Sequence, residues 1–344
     1  MADTGKRIGF LSFGHWQPVQ GSQVRTARDA LLQSIELAEA AEELGVDGAY
    51  VRVHHFARQL AAPFPLLAAM AARTSRIEIG TGVIDMRYEN PLYMAEEAAA
   101  ADLISGGRLQ LGVSRGSPET ALRGSEVFGH VPAAGSTDAD LARQHTALFR
   151  AALAGQAVAD ADPRAGAPGR LAVQPQAPGL GRRIWWGSGT RETAIWTAEQ
   201  GMNLMSSTLL SEDTGVPFDE LQAEQISRYR QAWAAAGWQH EPRVSVSRSV
   251  LPVVTDLDRA YFGDRSDEDA VGLLGGVRSR FGRSYVGAPD QLAEELAKDA
   301  AVREADTLLL TVPNMLGVEY NARLLETVVR HVAPAIGWGP PAQR

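Results

Sequence analysis

Residues 77–116 read IEIGTGVIDMRYENPLYMAEEAAAADLISGGRLQLGVSRG. An apolar run, Ile77 to Ile84, leads into Asn90-Pro91, a cap and first-turn proline. A segment of helical period follows from Leu92 to Ile104, and a second apolar run extends from Leu109 to Ser114. Strand, helix and strand in that order are the unit from which parallel sheets are built.

The same alternation recurs in both directions. Strands are expected at Ile8 to Phe13, Gly48 to Val53, Ile77 to Ile84, Leu109 to Ser114, Ile184 to Gly187, Asn203 to Ser206, Val244 to Val253 and Thr307 to Val312. Helices are expected at Ala30 to Leu44, with apolar positions 31, 35, 38 and 41 and Gly45 as a stop, and at Leu92 to Ile104. Further helices are read at Asp140 to Leu153, Glu192 to Gln200, Phe218 to Ala236, Asp290 to Ala300 and Glu319 to Val332. Eight βα units without an internal repeat or a dividing linker predict an α/β fold, one (β/α)8 TIM barrel over residues 1–344. Two stretches near 155–183 and 256–285 fit no unit and are expected as lid-like insertions. The acidic cluster Asp264, Asp267, Glu268 and Asp269 lacks the ligand order of a calcium loop and reads as a solvated face, so no metal is expected.

Composition narrows the function. With 344 residues, 45% of them hydrophobic, the chain has enough material for a large core. Its 33 basic against 41 acidic side chains give a net charge of −8 with no basic stripe, so nucleic acid is not an expected partner. There is no cysteine, which removes thiol nucleophiles, thiolate metal sites and disulfides. No apolar run approaches the ~20 residues of a membrane span, and the first residues lack the long apolar region of a signal peptide; a cytoplasmic protein is expected.

In a parallel barrel, residues that end strands converge on one rim, so the chemistry should be sought there. Four ends carry unusual residues. His54 and His55 follow the second strand; side chains alternate along a strand, so one of them should face the pocket, as a proton carrier or as half of a hydrogen-bonded structural pair. Arg115, flanked by Gly112 and Gly116, suits either a phosphate or a rim carboxylate. Trp186 to Thr193 breaks from strand into a Gly/Ser turn and opens a helix. There Thr190 and Thr193 share a face, which makes either an anion site or an ordinary cap. Gly80-Thr81-Gly82-Val83 thins a strand end, as close approach of something flat would require.

Taken in order, these residues resemble the luciferase-like monooxygenases over nearly the whole chain, most densely from Gly48 to Gly129. The likeness rests on His54-His55-Phe56, Gly80-Thr81, Asn90-Pro91, Glu96, Asp102, Ser105, Gly107-Arg108 and Arg115-Gly116, with a second block from Gly187 to Gly201 and a third from Gly317 to Trp338. The resemblance implies that Arg115, Gly189, Thr190 and Thr193 hold the phosphate of flavin mononucleotide (FMN). It also implies that Gly82 and Val83 form a non-proline cis peptide beside the ring, and that His54 is the catalytic histidine with His55 as its support. It implies a two-component monooxygenase: reduced FMN arrives from a separate NAD(P)H flavin reductase, reacts with O2, and a small organic substrate is oxygenated by a homodimeric enzyme. Phe13, Trp16, Phe56 and Trp185 would keep the reacting site dry, under a lid from the 155–183 loop. Related barrels use the deazaflavin F420 as reductases or dehydrogenases, and others bind flavin without turnover; both remain as alternatives. The chain departs from the pattern at Val53, where many members are acidic, at Ser114, where luciferase has a cysteine, and at Thr208, where luciferase has a tryptophan. The light-emitting reaction is therefore not implied.

Overall fold

The computed structural model describes residues 5–116, 121–166, 169–212, 214–263, 269–274 and 277–338. Eight strands carry the architecture: β1 (Arg7–Ser12), β2 (Gly48–Val51), β3 (Glu78–Asp85), β4 (Leu109–Ser114), β5 (Ile184–Ser188), β6 (Asn203–Ser206), β7 (Val244–Pro252) and β8 (Thr307–Val312). Each pairs in parallel with the next, and β8 returns to β1 through the register Arg7↔Thr307 to Ser12↔Val312. The sheet therefore closes as an α/β (TIM) barrel. A further strand, Ser284–Gly287, lies parallel to the second half of β7.

The main helices are α1 (Ala27–Glu43), α2 (Pro63–Arg73), α3 (Pro91–Ser105), α4 (Asp138–Leu153), α5 (Arg191–Glu199), α6 (Phe218–Ala236), α7 (Pro289–Lys298) and α8 (Gly317–Thr327). Their starts follow the local sequence. Asn90 Oδ1 accepts from the backbone N–H groups of Leu92 (3.0 Å) and Tyr93 (3.2 Å), Pro91 takes the first helical position, and Gly106 closes α3 in the left-handed region at φ 67°. Thr26 with Asp29, and Thr137 with Asp140, form capping boxes on α1 and α4.

The larger core lies between barrel and helices. Inside the barrel, Leu11, Tyr50, Trp185, Met205 and Leu309 pack together. Beneath them is a polar floor. Glu78 accepts from Arg243 at 2.8 and 3.0 Å, from the Tyr50 hydroxyl at 3.2 Å and from Arg7, while Gln110 accepts from the Trp185 indole at 2.8 Å. Burial and the neighbouring Glu78 carboxylate push the Tyr50 hydroxyl well above its ordinary pKa.

Three expectations are corrected. First, of the expected apolar set on α1, Ala38 and Ala41 are buried and Ile35 packs against the core, but Leu31 is exposed and Ala30, Ser34 and Leu37 complete the buried side. Second, helix α2, rich in proline and alanine, was not among the expected helices. Third, the 155–183 segment joins the end of α4 to the start of β5, so it covers the rim where strands begin. Its Arg183 pairs with Asp102 (2.6 Å), Leu180 is buried, and the hairpin Ala157–Asp160 with Arg170–Ala172 lies in the same connection. A segment on that rim is not a lid over strand C-termini.

The 256–285 stretch is placed differently. Its strands Ala270–Leu274 and Val277–Phe281 form a hairpin, and the latter pairs with Leu209–Leu210 just beyond β6. Asp264, Asp267 and Glu268 lie outside the described residues. Asp269 accepts from the backbone N–H of Phe218 (2.9 Å) and of Arg283 (3.1 Å), which makes it a brace. Among the described residues no cluster of metal-ligating side chains occurs, and no helix is long and apolar enough to cross a membrane.

Candidate active site

The C-terminal strand ends enclose a cavity of about 280 Å³, and His54, Gly82, Val83, Arg115, Gly189, Thr190 and Thr193 all line it. Seven positions spread over 140 residues of sequence thus meet because β2, β3, β4 and β5 end on one rim.

His54 follows β2 and its backbone N–H donates to Leu60 O (2.8 Å). His55 leaves the cavity: its ring stacks on Tyr88 at 4.2 Å and meets Phe128 edge-on at 5.3 Å. The two histidines are separated, but both lie beyond Val51, the last residue of β2, so the turn of the chain there and not strand alternation divides them. In β3, Thr81 pairs with Leu111 and Ile84 with Val113, so β3 holds one residue more than its partner, a bulge that turns Gly82 and Val83 toward the cavity. The Gly82–Val83 peptide is cis.

Arg115 is exposed at the cavity rim, and among the described residues no carboxylate pairs with it. The nearby acid is taken, since Asp85 is held by Arg87 at 2.6 Å. Gly116 has φ +80°, and a Cβ there would lie 1.9 Å from Asp85 Oδ2, so only glycine lets the chain turn here behind Arg115. Thr190, which lines the same cavity, caps α5. Its hydroxyl accepts from Thr193 N (3.2 Å) and donates to Thr193 Oγ1 (2.9 Å). Gln225 of α6 donates to Thr190 O (3.0 Å) and holds that turn. Arg191, next in sequence, is pinned by Glu224 (2.8 Å) and Glu212 (3.3 Å), which removes it as an anion ligand.

The wall between these groups is apolar, from Leu11, Val83, Met205 and Leu309. Of the four aromatic residues expected there, Phe13 alone lines the cavity. Trp185 lies in the barrel interior beneath it, Trp16 packs against the outer core, and Phe56 is 52% exposed; Trp186, one position from Trp185, takes part instead. Sequence reading also missed Arg52 and Arg143. Arg52 follows β2 and lies over the Phe13 ring at 4.7 Å; Arg143 comes from α4, whose contribution no strand-end search would find. Burial, with Arg52 and His54 nearby, lowers the pKa of His15 below its usual value; its ring stacks on Phe13 at 5.9 Å.

The site chemistry is thus a guanidinium and two hydroxyls at a helix start, an apolar slot, and a histidine. A family model described as luciferase-like monooxygenase matches residues 8–262. The oxygenase component of a flavin-dependent trigonelline monooxygenase from Acinetobacter baylyi is 34% identical over 110 residues, 31% of this chain and 30% of that protein. An F420-dependent glucose-6-phosphate dehydrogenase from Amycolatopsis mediterranei is 37% identical over 100 residues, 27% of this chain and 30% of that one. These matches span under a third of either relative's own length. The monooxygenase RslO1 from Streptomyces bottropensis superposes with a TM-score of 0.73 at 21% identity, covering 95% of this chain and 99% of that one, and so shares its fold. With well over half of its length matched by that model, the chain belongs to the luciferase-like monooxygenase family.

Proposed function

We propose that this chain is the oxygenase component of an FMN-dependent two-component monooxygenase acting on a small organic substrate. The observation that supports this reading is one cavity lined together by Arg115, Thr190, Thr193, His54 and the Gly82–Val83 bulge. A phosphate fits an arginine without a described carboxylate partner and a capped helix start. A planar ring fits the slot between Leu11, Val83, Met205 and Leu309.

Arg115, Gly189, Thr190 and Thr193 hold the phosphate in this reading, and the bulge of β3 supports the ring. The reduced flavin, when bound, supplies the electrons that activate dioxygen. The protein's own part is to orient, to exclude water with its apolar walls, and to move or hold a proton at the His54 imidazole. The same reading includes an NAD(P)H flavin reductase as partner, a homodimer, and a cytoplasmic setting. Similarity to an F420-dependent dehydrogenase keeps that coenzyme as the second reading; flavin binding without turnover is a third.

Titration of the purified protein with reduced and oxidised FMN and with F420, followed by absorbance and fluorescence, tests the choice. Tight FMN binding with oxygen-dependent turnover supports the proposal, and Arg115→Ala weakens that binding by about 10-fold or more, as loss of a charge-assisted contact does. Binding of F420 alone, or FMN affinity unchanged in Arg115→Ala, overturns it.

A further inference from the structure

Arg143 belongs to α4, the helix after β4, yet its side chain lines the same cavity as Arg115, Thr190 and Thr193. Its guanidinium lies over the Trp196 ring at 4.7 Å, and Trp196 packs edge-on against Trp186, itself part of the cavity wall, at 4.8 Å. Stacking of this kind fixes a guanidinium's position without consuming its charge. Among the described residues no carboxylate pairs with Arg143. Asp140, its acidic neighbour one turn earlier, feels the Arg143 charge at a distance but spends its hydrogen bonds in the α4 capping box, accepting from Thr137 N (2.9 Å) and Thr137 Oγ1 (2.7 Å). Arg191, which follows Thr190 in sequence, is neutralised by Glu212 and Glu224. The cavity lining therefore offers Arg115 and Arg143, from different elements, and two threonine hydroxyls, while the third lining arginine, Arg52, lies over the Phe13 ring.

We propose that Arg143 is a second cation for the cofactor phosphate, and that the Arg115/Arg143 pair makes the site select a phosphomonoester over a phosphodiester. The inference rests on the flavin reading given above and deepens it. A phosphomonoester carries close to two negative charges at neutral pH, with its second ionisation near pH 6, whereas a diester carries one. Two guanidiniums match the dianion; against a diester the second is unmatched and gains little. FMN ends in a monoester and F420 holds its phosphate as a diester, so the pair favours FMN.

The test compares FMN with riboflavin, which has the same ring and no phosphate, on wild type, Arg143→Gln and Arg143→Lys. Expected are a roughly 10-fold loss of FMN affinity in Arg143→Gln, no change for riboflavin, and partial recovery in Arg143→Lys. Wild-type FMN affinity should also fall between about pH 7.5 and pH 5 as the dianion is lost, and fall less in Arg143→Gln. Unchanged FMN affinity in Arg143→Gln, or equal losses for FMN and riboflavin, overturns the inference and leaves the flavin reading standing; equal losses would mean that Arg143 only props the cavity wall through Trp196. Failure of wild type to bind either flavin sinks the flavin reading and takes the inference with it.

Discussion

His54 shows how much a single position can be asked to do. It lines the cavity while its neighbour His55 is stacked between Tyr88 and Phe128, so the two imidazoles have separate surroundings and separate uses. In the proposed enzyme, His54→Ala keeps flavin affinity and loses about 10²- to 10⁴-fold in turnover, the range of a missing proton carrier. Stopped-flow and steady-state kinetics on the variant decide it, and full turnover with normal flavin binding removes the role. Whether Arg115 faced a phosphate or a rim carboxylate was open from sequence alone. Among the described residues no carboxylate pairs with Arg115, and the nearby Asp85 is engaged by Arg87. Arg143 was not legible, since its place in the cavity depends on where α4 packs and on Trp196 beneath it.

At the scale of elements, the strands were the readable part, and all eight stand within about two residues of their expected bounds. Apolar runs two-sidedly buried in a parallel barrel announce themselves without any partner being known. Connections were harder, because what decides them is tertiary. Glu42, near the end of α1, illustrates this: it accepts from the backbone N–H groups of Ser75 (3.0 Å), Arg76 (2.6 Å) and Ile77 (2.9 Å), tying α1 to the entry of β3. Burial acts to raise this carboxyl, but those three donors outweigh it and hold the pKa at about 2, against an ordinary 4.5. A carboxyl lowered on folding stabilises above its unfolded pKa, and the contribution fades as pH falls from 4.5 toward 2. Glu42→Gln should therefore cost about 1 kcal/mol near pH 7, a figure already reduced for solvent screening at this partly exposed site. The gap from wild type should narrow by about pH 3.5. Urea denaturation at both pH values checks this, and a pH-independent gap contradicts it.

For the whole molecule, the barrel separates stability from chemistry by placing them at opposite rims. The floor around Glu78, Arg243, Arg7 and Tyr50 lies at the strand N-termini, and the cavity lies at the C-termini. Arg243→Met leaves Glu78 short of its bidentate partner in a half-buried place, and about 3 kcal/mol of destabilisation is expected. FMN affinity of the folded variant should stay within about twofold, since the two rims share no group. Thermal melts with a flavin titration test both halves, and a large affinity loss would show the rims to be coupled. The sequence by itself determined the alternation of strand and helix, the cap at Asn90, and the strand-end residues worth suspecting, because propensity, periodicity and capping are local. Only the tertiary structure decided that the 155–183 segment covers the far rim, that Trp186 and not Trp185 lines the cavity, and that Arg143 joins Arg115. Those facts depend on which way each element is turned when the barrel closes, and closure joins residues hundreds of positions apart through contacts that no local window contains.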